Sequence, residues 1–229
     1  MKKISIILLS VITTIFFIVG CDTIQQSNKK QRGTVIGTAG GAAAGAAIGS
    51  QVGDGNTALG AIIGAVVGGA TGAYIGDRMD RQAEEIEQEV PGAEVTRVGE
   101  GINVTFDETS GVYFELEKHD INASSAATLN KLANILNDYP KTEILVEGHT
   151  DSSGPASYNY NLSEKRAKSV SSFLMSKGIS SSRISTKWYG ETQPKYDNNT
   201  KEGMAKNRRV ELAIIASEEL KKEAAANAE

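Results

Sequence analysis

The spacing of apolar positions changes repeatedly along the chain, and each change marks a segment. An uncharged apolar run over 4–19 follows Lys2 and Lys3 and ends at Gly20-Cys21. From Gly33, glycines recur at 33, 37, 41, 45 and 49 and, after the polar stretch SQVGDGNT, at 60, 64, 68, 72 and 76. A period of four lines one helix face, so 33–76 is predicted as a helical hairpin with a groove that a second backbone can approach closely. Met79, Ala83, Ile86 and Val90 then fall at helical spacing among charges, which predicts a charged helical spacer over 77–99 ending near Pro91-Gly92. Beyond residue 100 the pattern becomes that of a folded unit. Residues 102–106 alternate as a strand, and Val112-Tyr113-Phe114 predicts another after a glycine turn. Leu129, Leu132, Ala133 and Leu136 fall at i, i+3, i+4 and i+7, predicting a helix over 123–138 that stops before Pro140. Residues 142–148 form an Ile/Leu/Val strand running into the loop HTDSSGP. Ser163 is a predicted N-cap for a helix carrying Ala167, Val170, Phe173 and Leu174, with Gly178 at its end. Residues 183–189 and 209–215 complete the strands, and the Ala-rich charged tail 217–229 is predicted as a frayed helix. Short strands alternating with two helices predict an α/β fold, a sheet covered on one side by helices.

The first segment reads as an address. Two lysines, an apolar run and a small residue before the chain's single cysteine make a secretory signal over 1–20. The run of 16 residues also fits an uncleaved anchor, being long for a cleaved segment and short for a membrane span. Ile18-Val19-Gly20-Cys21 resembles a bacterial lipobox, with Ile18 where Leu is preferred. A thiol at that place can take a diacylglycerol, and several acyl chains at about 0.8 kcal/mol per buried methylene give stable attachment. Cys21 is therefore the expected lipidation site and mature N-terminus, with 21–32 as a tether.

The glycine segment is unstable as helix in water alone, since each glycine costs about 1 kcal/mol of helix propensity. Residues 58–76 would span about 28 Å at 1.5 Å per residue, near the thickness of a bilayer core. Asp54, the only charge between Gly33 and Gly76, falls in the turn. Ile62, Ile63, Val66 and Val67 favour a hairpin associated with membrane, or with copies of itself as a homo-oligomer, over a flexible small-residue linker. A hairpin keeps both ends on one membrane face. A stator-like ion channel would want an acid within the span, and none is there.

Composition narrows the chemistry. One Cys in 229 residues excludes an intramolecular disulfide framework and a thiolate-rich zinc site, and two His leave little for a His-based metal centre. A net charge of −4 without a basic block makes nucleic acid a poor partner.

The motifs VEGHTDSSGPASYNYNLSEKRAKSV (146–170), GISSSRI (178–184), YGETQP (189–194), NNTKEG (198–203) and NRRVEL (207–212) resemble the OmpA-like C-terminal domain family over about 100–216. That family includes peptidoglycan-associated lipoprotein and flagellar stator proteins. With its lipobox and glycine zipper, the whole chain also resembles lipoproteins of the YiaD type. Trp188, Met204 and Glu115 stand where the family usually has Gly, Arg and Asp. The resemblance implies a βαβαββ sandwich that binds peptidoglycan noncovalently through the meso-diaminopimelate of its stem peptide, without a cofactor or a metal. It places Asp151 on the ligand's ammonium and Arg166 on its carboxylate. It lines the pocket with Thr150, Asn159 and Leu162, and it adds Phe114 and Arg209.

The chemistry agrees with those roles. Diaminopimelate presents an ammonium and a carboxylate on one carbon, which needs an acceptor and a forked donor. Asp151 on the loop is the acceptor, and Arg166, expected in the first turn of the helix capped by Ser163, can bind a carboxylate bidentately. The helix start would add partial positive charge. The alternative is a loop-to-helix ion pair between Asp151 and Arg166 that merely fixes the turn. His149-Thr150-Asp151-Ser152 is not a hydrolase set, because triads gather residues distant in sequence. His149 reads as a hydrogen-bonded turn residue, and Asn207-Arg208-Arg209 as a structural clamp on the sheet edge. The expectation is an envelope lipoprotein, not an enzyme, that ties a membrane to the wall. Its alternative is an oligomeric glycine-zipper element placed by its wall domain. Asp22 after Cys21 is an inner-membrane retention signal in some enteric bacteria, whereas the resemblance implies an outer-membrane anchor facing the periplasm.

Overall fold

The computed structural model describes residues 69–108, 110–115 and 117–228. The predicted signal segment, Cys21 and the glycine ladder up to Gly68 lie outside the described residues. Helix α1 (Gly69–Glu89) leads into an antiparallel hairpin of β1 (Glu94–Val98) and β2 (Gly101–Phe106). Helix α2 (Ala123–Asp138) follows, then β3 (Thr142–His149), α3 (Ala156–Ser176), β4 (Ile184–Gly190), the short α4 (Lys201–Asn207), β5 (Val210–Ala216) and α5 (Glu218–Ala226). The strands form one sheet in the order β1-β2-β5-β3-β4. Only β3 and β4 run parallel, joined across α3 as a strand–helix–strand unit. The last strand in sequence is the central strand of the sheet.

Alternation sets the layers. On β3, Ile144 and Val146 point into the main core with Ile102, Val104, Leu212 and Ile214 of its neighbours. Leu145 faces the other way and packs with Ala213, Val98 and Ile215. Against the first face lie Leu129, Leu132 and Leu136 of α2 and Ala167, Val170 and Leu174 of α3. The α/β expectation holds: a mixed five-stranded sheet carries this helical layer.

Four local expectations change. Residues 77–99, read as a charged spacer with one docking stripe, are an integral part of the folded unit. Ile75, Met79 and Ile86 of α1 are fully buried in the same core, and 94–98 form an edge strand. The tail is capped rather than frayed. Ser217 accepts a bond from the Leu220 amide, and Leu220 and Ala224 are buried. Residues 112–114 are not a strand, because the Tyr113 backbone is satisfied by the start of α2. Its N–H donates to Ser125 Oγ at 3.1 Å, and its carbonyl accepts from that hydroxyl and from Asn122 Nδ2. Helix α3 begins at Ala156 after Pro155, two turns before the predicted cap. Ser163 instead lies inside the helix, donating to the Tyr160 carbonyl at 2.8 Å and accepting from the Gly190 amide at 2.9 Å.

Candidate binding site at the end of β3

The site begins where the parallel ladder breaks. The β3–β4 register shifts between Gly148 and His149, and the Thr150 amide then donates to the Gly190 carbonyl at 2.9 Å. A shift of this kind re-aims the chain, and here it delivers Asp151 into a loop braced from several sides. Asp151 Oδ1 accepts from the Ser153 amide at 2.9 Å, which closes a tight local turn. Asn159 in the first turn of α3 donates to the Ser153 carbonyl at 2.9 Å and the Asp151 carbonyl at 3.3 Å. Its amide also reaches Glu191 Oε2 at 2.5 Å. Asn159 is buried, and its amide nitrogen is committed to shaping the loop. Thr150 is buried behind it, its hydroxyl without a hydrogen-bond partner among the described residues.

Two turns further along α3, Arg166 is almost fully buried. Its Nε donates to the Lys118 carbonyl at 3.1 Å, and its guanidinium lies over the Phe114 ring, 5.1 Å from the centroid. That ring contact stabilises a cation and fixes the plane of the fork. Leu162, half-buried, is one turn before it. Burial, and then the positive charge of Arg208, push the Arg166 guanidinium down to about 10, with Asp151 pulling the other way. Arg166 therefore stays charged at neutral pH.

Asp151 and Arg166 are neighbours but do not pair, so the simple loop-to-helix ion pair is absent. Asp151 Oδ2 instead accepts from Arg208 Nη1 at 2.5 Å, and Arg208 Nη2 binds Glu108. Sequence reading put Arg208 in a clamp and did not see Glu108; neither has a local signal, since the pairs join residues 57 and 100 positions apart.

Arg209 departs from its expected place. It is buried and pairs with Glu211, Nε to Oε1 at 2.5 Å, while Nη2 donates to the Gln193 carbonyl at 3.2 Å. Burial pushes the Glu211 carboxyl up, but Arg209 outweighs it and holds the group below the usual range. His149 is stacked on Tyr189 with centroids 5.5 Å apart. Burial, with Arg209 nearby, pushes its imidazole down to about 3. Its ring nitrogens have no hydrogen-bond partner among the described residues, so it is not the bonded turn residue expected. Among the described residues no group of three or more His, Cys, Asp or Glu could hold a metal, and no helix is long and apolar enough to cross a membrane.

Comparison with known proteins places this geometry. The OmpA family model matches residues 113–208, and the YMGG-like Gly-zipper model matches residues 1–80. The chain is 36% identical over 140 residues to "Probable lipoprotein YiaD" of Escherichia coli, covering 61% of this chain and 64% of that one. It is 40% identical over 111 residues to the peptidoglycan-associated lipoprotein of Buchnera aphidicola, covering 45% of this chain and 64% of that one. The matches thus span just under two thirds of either relative's length. Among solved structures, the cell wall anchor of the T6SS from Pseudomonas aeruginosa aligns with a TM-score of 0.52 at 27% identity. That alignment covers 61% of this chain and 98% of the other. Strands β3 and β4, helix α3 and the loop bearing Asp151 all fall inside the first match, and the chain therefore carries an OmpA family domain behind a YMGG-like Gly-zipper region.

Proposed function

We propose that the protein is a noncatalytic envelope lipoprotein that ties a membrane to the cell wall by binding peptidoglycan at the Asp151–Arg166 site. The observation that carries this reading is Arg166. It is a buried cation, oriented by a backbone carbonyl and an aromatic face, within electrostatic reach of the braced Asp151 carboxylate. A buried guanidinium without an ion partner of its own is expensive, and a ligand carboxylate would supply that partner through a forked contact. Asp151 at the same time offers acceptor capacity to an ammonium. The pair suits the zwitterionic carbon of meso-diaminopimelate in a stem peptide. Thr150, Asn159, Leu162 and Phe114 shape the site, and Arg209 lies in the buried layer, paired with Glu211 rather than open to the ligand. The relatives' names, a probable lipoprotein and a peptidoglycan-associated lipoprotein, support the same reading.

The membrane is the outer one, reached through acyl chains on Cys21, with the domain facing the periplasm. The glycine ladder adds membrane or self association.

Co-sedimentation of the full-length protein with isolated sacculi tests the site. Wild type should bind diaminopimelate-type wall and bind lysine-type wall weakly, because lysine lacks the second carboxylate. Asp151→Ala and Arg166→Ala should each reduce binding by about 2–5 kcal/mol where the contact is dry. The double variant should be scarcely worse than either single one, since both groups clamp one zwitterion. Full binding by a folded double variant would place the site elsewhere. Cys21→Ser should lose metabolic palmitate label, and unchanged labelling would remove the lipid anchor.

A further inference from the structure

Among the described residues, Glu117 is the one residue other than glycine with a positive φ, at 60°. A side chain in that left-handed region crowds its own backbone, so the conformation is uncommon outside Gly and Asn. It persists only where the surroundings over-determine it, and such residues cluster at sites where a fixed geometry is needed. Glu117 is exposed, so burial of its own side chain does not account for it.

The surroundings are a tight turn. The Lys118 amide donates to the Glu115 carbonyl at 2.9 Å, and Glu117 takes the third place of that turn. When φ is positive there, the place ordinarily goes to Gly or Asn. The base of the turn is tied down, because the Tyr113 backbone bonds to Ser125 and Asn122 at the start of α2. The two contacts that orient Arg166 come from the two ends of this turn. Before it, the Phe114 ring centroid lies 5.1 Å from the guanidinium. At its end, the Lys118 carbonyl accepts from Arg166 Nε at 3.1 Å. Reversing the chain over so few residues lets one segment offer a ring and a carbonyl to the same side chain. A negative φ at Glu117 would swing the chain after it and carry the Lys118 carbonyl off Nε.

We propose that Glu117 is a positioning residue of the binding site, its left-handed backbone shaping the turn into a cradle that fixes Arg166 before the ligand arrives. This rests on the wall-binding reading above and deepens it. An arginine pinned at Nε and against one aromatic face has little rotamer freedom left to lose on binding. The role belongs to the backbone of Glu117 and not to its carboxylate.

The test uses the full-length protein in detergent, isotope-labelled at arginine. It reads solvent exchange of the Arg166 Nε–H by NMR and binding to diaminopimelate-type sacculi. Arg183 is the internal reference, since its Nε donates to the Thr142 carbonyl at 2.8 Å, at the opposite end of β3 from Asp151. Glu117→Val puts a β-branched side chain where φ is positive. It should speed exchange at Arg166 and weaken binding, each by about tenfold, with Arg183 unchanged. Glu117→Gly and Glu117→Asn accept the backbone, and Glu117→Gln keeps the shape without the charge, so all three should bind within about twofold of wild type. In an Arg166→Ala background, Glu117→Val should reduce binding no further. Folded Glu117→Val with wild-type exchange at Arg166 overturns the proposal. Equal acceleration at Arg183 also overturns it, because the turn then serves general stability alone. A loss in Glu117→Gln as large as in Glu117→Val does so too, by assigning the effect to charge. Should Glu117→Val fail to fold, Glu117→Ala, which meets the same backbone penalty with less bulk, decides. Failure of wild type to bind sacculi overturns the wall-binding reading, whereas the exchange readout judges the turn by itself.

Discussion

Gly148 in β3 lies directly against the backbone carbonyl of Ser163 in α3, so close that a Cβ on Gly148 would overlap that oxygen. The neighbouring contact is also close, though less so. Gly190, at φ +56°, would bring a Cβ to 2.9 Å from the Tyr160 amide nitrogen. Two glycines thus let the helix settle onto the ends of β3 and β4, and that docking places Arg166 beside the loop of Asp151.

Gly148→Ala should therefore be far worse than an ordinary glycine-to-alanine change in a strand. Overlap with backbone cannot be relieved by a rotamer, so destabilisation of about 1–3 kcal/mol is expected, with α3 displaced. Gly154→Ala is the control, since no atom lies within 4 Å of its Cβ, although its φ of +86° carries strain. Urea denaturation measures stability. Loss of wall binding in Gly148→Ala at temperatures where it remains folded would report the displaced helix.

The folded unit should need residues on both sides of the family match. A fragment covering 100–216 lacks Ile75, Met79 and Ile86 of α1 and Leu220 of α5, all buried. Each large apolar side chain contributes about 1.5–3 kcal/mol, and together these rival the whole stability of a small domain. The 69–229 fragment should melt cooperatively, whereas the 100–216 fragment should bind a hydrophobic dye and melt broadly or not at all. Equal melting would mean that α1 is dispensable.

Acid should weaken the domain through His149. Its ordinary value is 6.5, and in the fold it is held at about 3. Between those values the unfolded chain binds a proton that the native state refuses, so stability rises with pH and falls as pH drops below 6.5. The slope from this one site is at most about 1.4 kcal/mol per pH unit. Urea midpoints at pH 8, 7, 6 and 5 should show the fall beginning near 6.5. His149→Gln should flatten the curve above pH 5. Below that, Glu211 adds to the loss in either protein, because its depressed value stabilises the fold only while it is ionised.

Arg209→Met should be destabilising by about 3–5 kcal/mol, because it leaves the Glu211 carboxylate buried without its partner. Adding Glu211→Leu should recover much of that loss. Guanidinium denaturation of the three proteins measures it. The folded double variant should still bind sacculi, since Arg209 is committed to Glu211 and the Gln193 carbonyl.

The elements most legible in the sequence were those with one strong period. Helix α2 shows four apolar residues on a single stripe, and β3 is an apolar strand flanked by Pro140 and a polar loop. Helix α1 was misjudged because its stripe is narrow and its other faces are charged, a pattern that also describes a solvated spacer. What decides the matter is the partner of the stripe, and that includes Leu220, far along the chain. The start of α3 was hidden for a different reason. Residues 156–162 are mostly polar, and Asn159 is buried through hydrogen bonds rather than apolar contact, which no hydrophobic period reveals. In the candidate site, Asp151 and Arg166 are proposed from the motif around them. The pairing of Arg208 with Glu108 has no local signal, because an ion pair between distant segments exists only once the sheet has brought their loops together.

The position of β5 also governs when this protein can fold. A chain that emerges N-terminus first presents β1, β2, β3 and β4 in turn, but β2 and β3 are not neighbours in the finished sheet. The strand that joins them is made last, over Val210–Ala216, and α5 follows it to cover α1. Until about residue 216 has appeared, the hairpin and the parallel pair remain two unjoined pieces with open hydrogen-bonding edges. Closing them requires contacts across more than a hundred residues, which are slow to form. The sheet therefore cannot close until its central strand, the last of the five to be made, has taken its place.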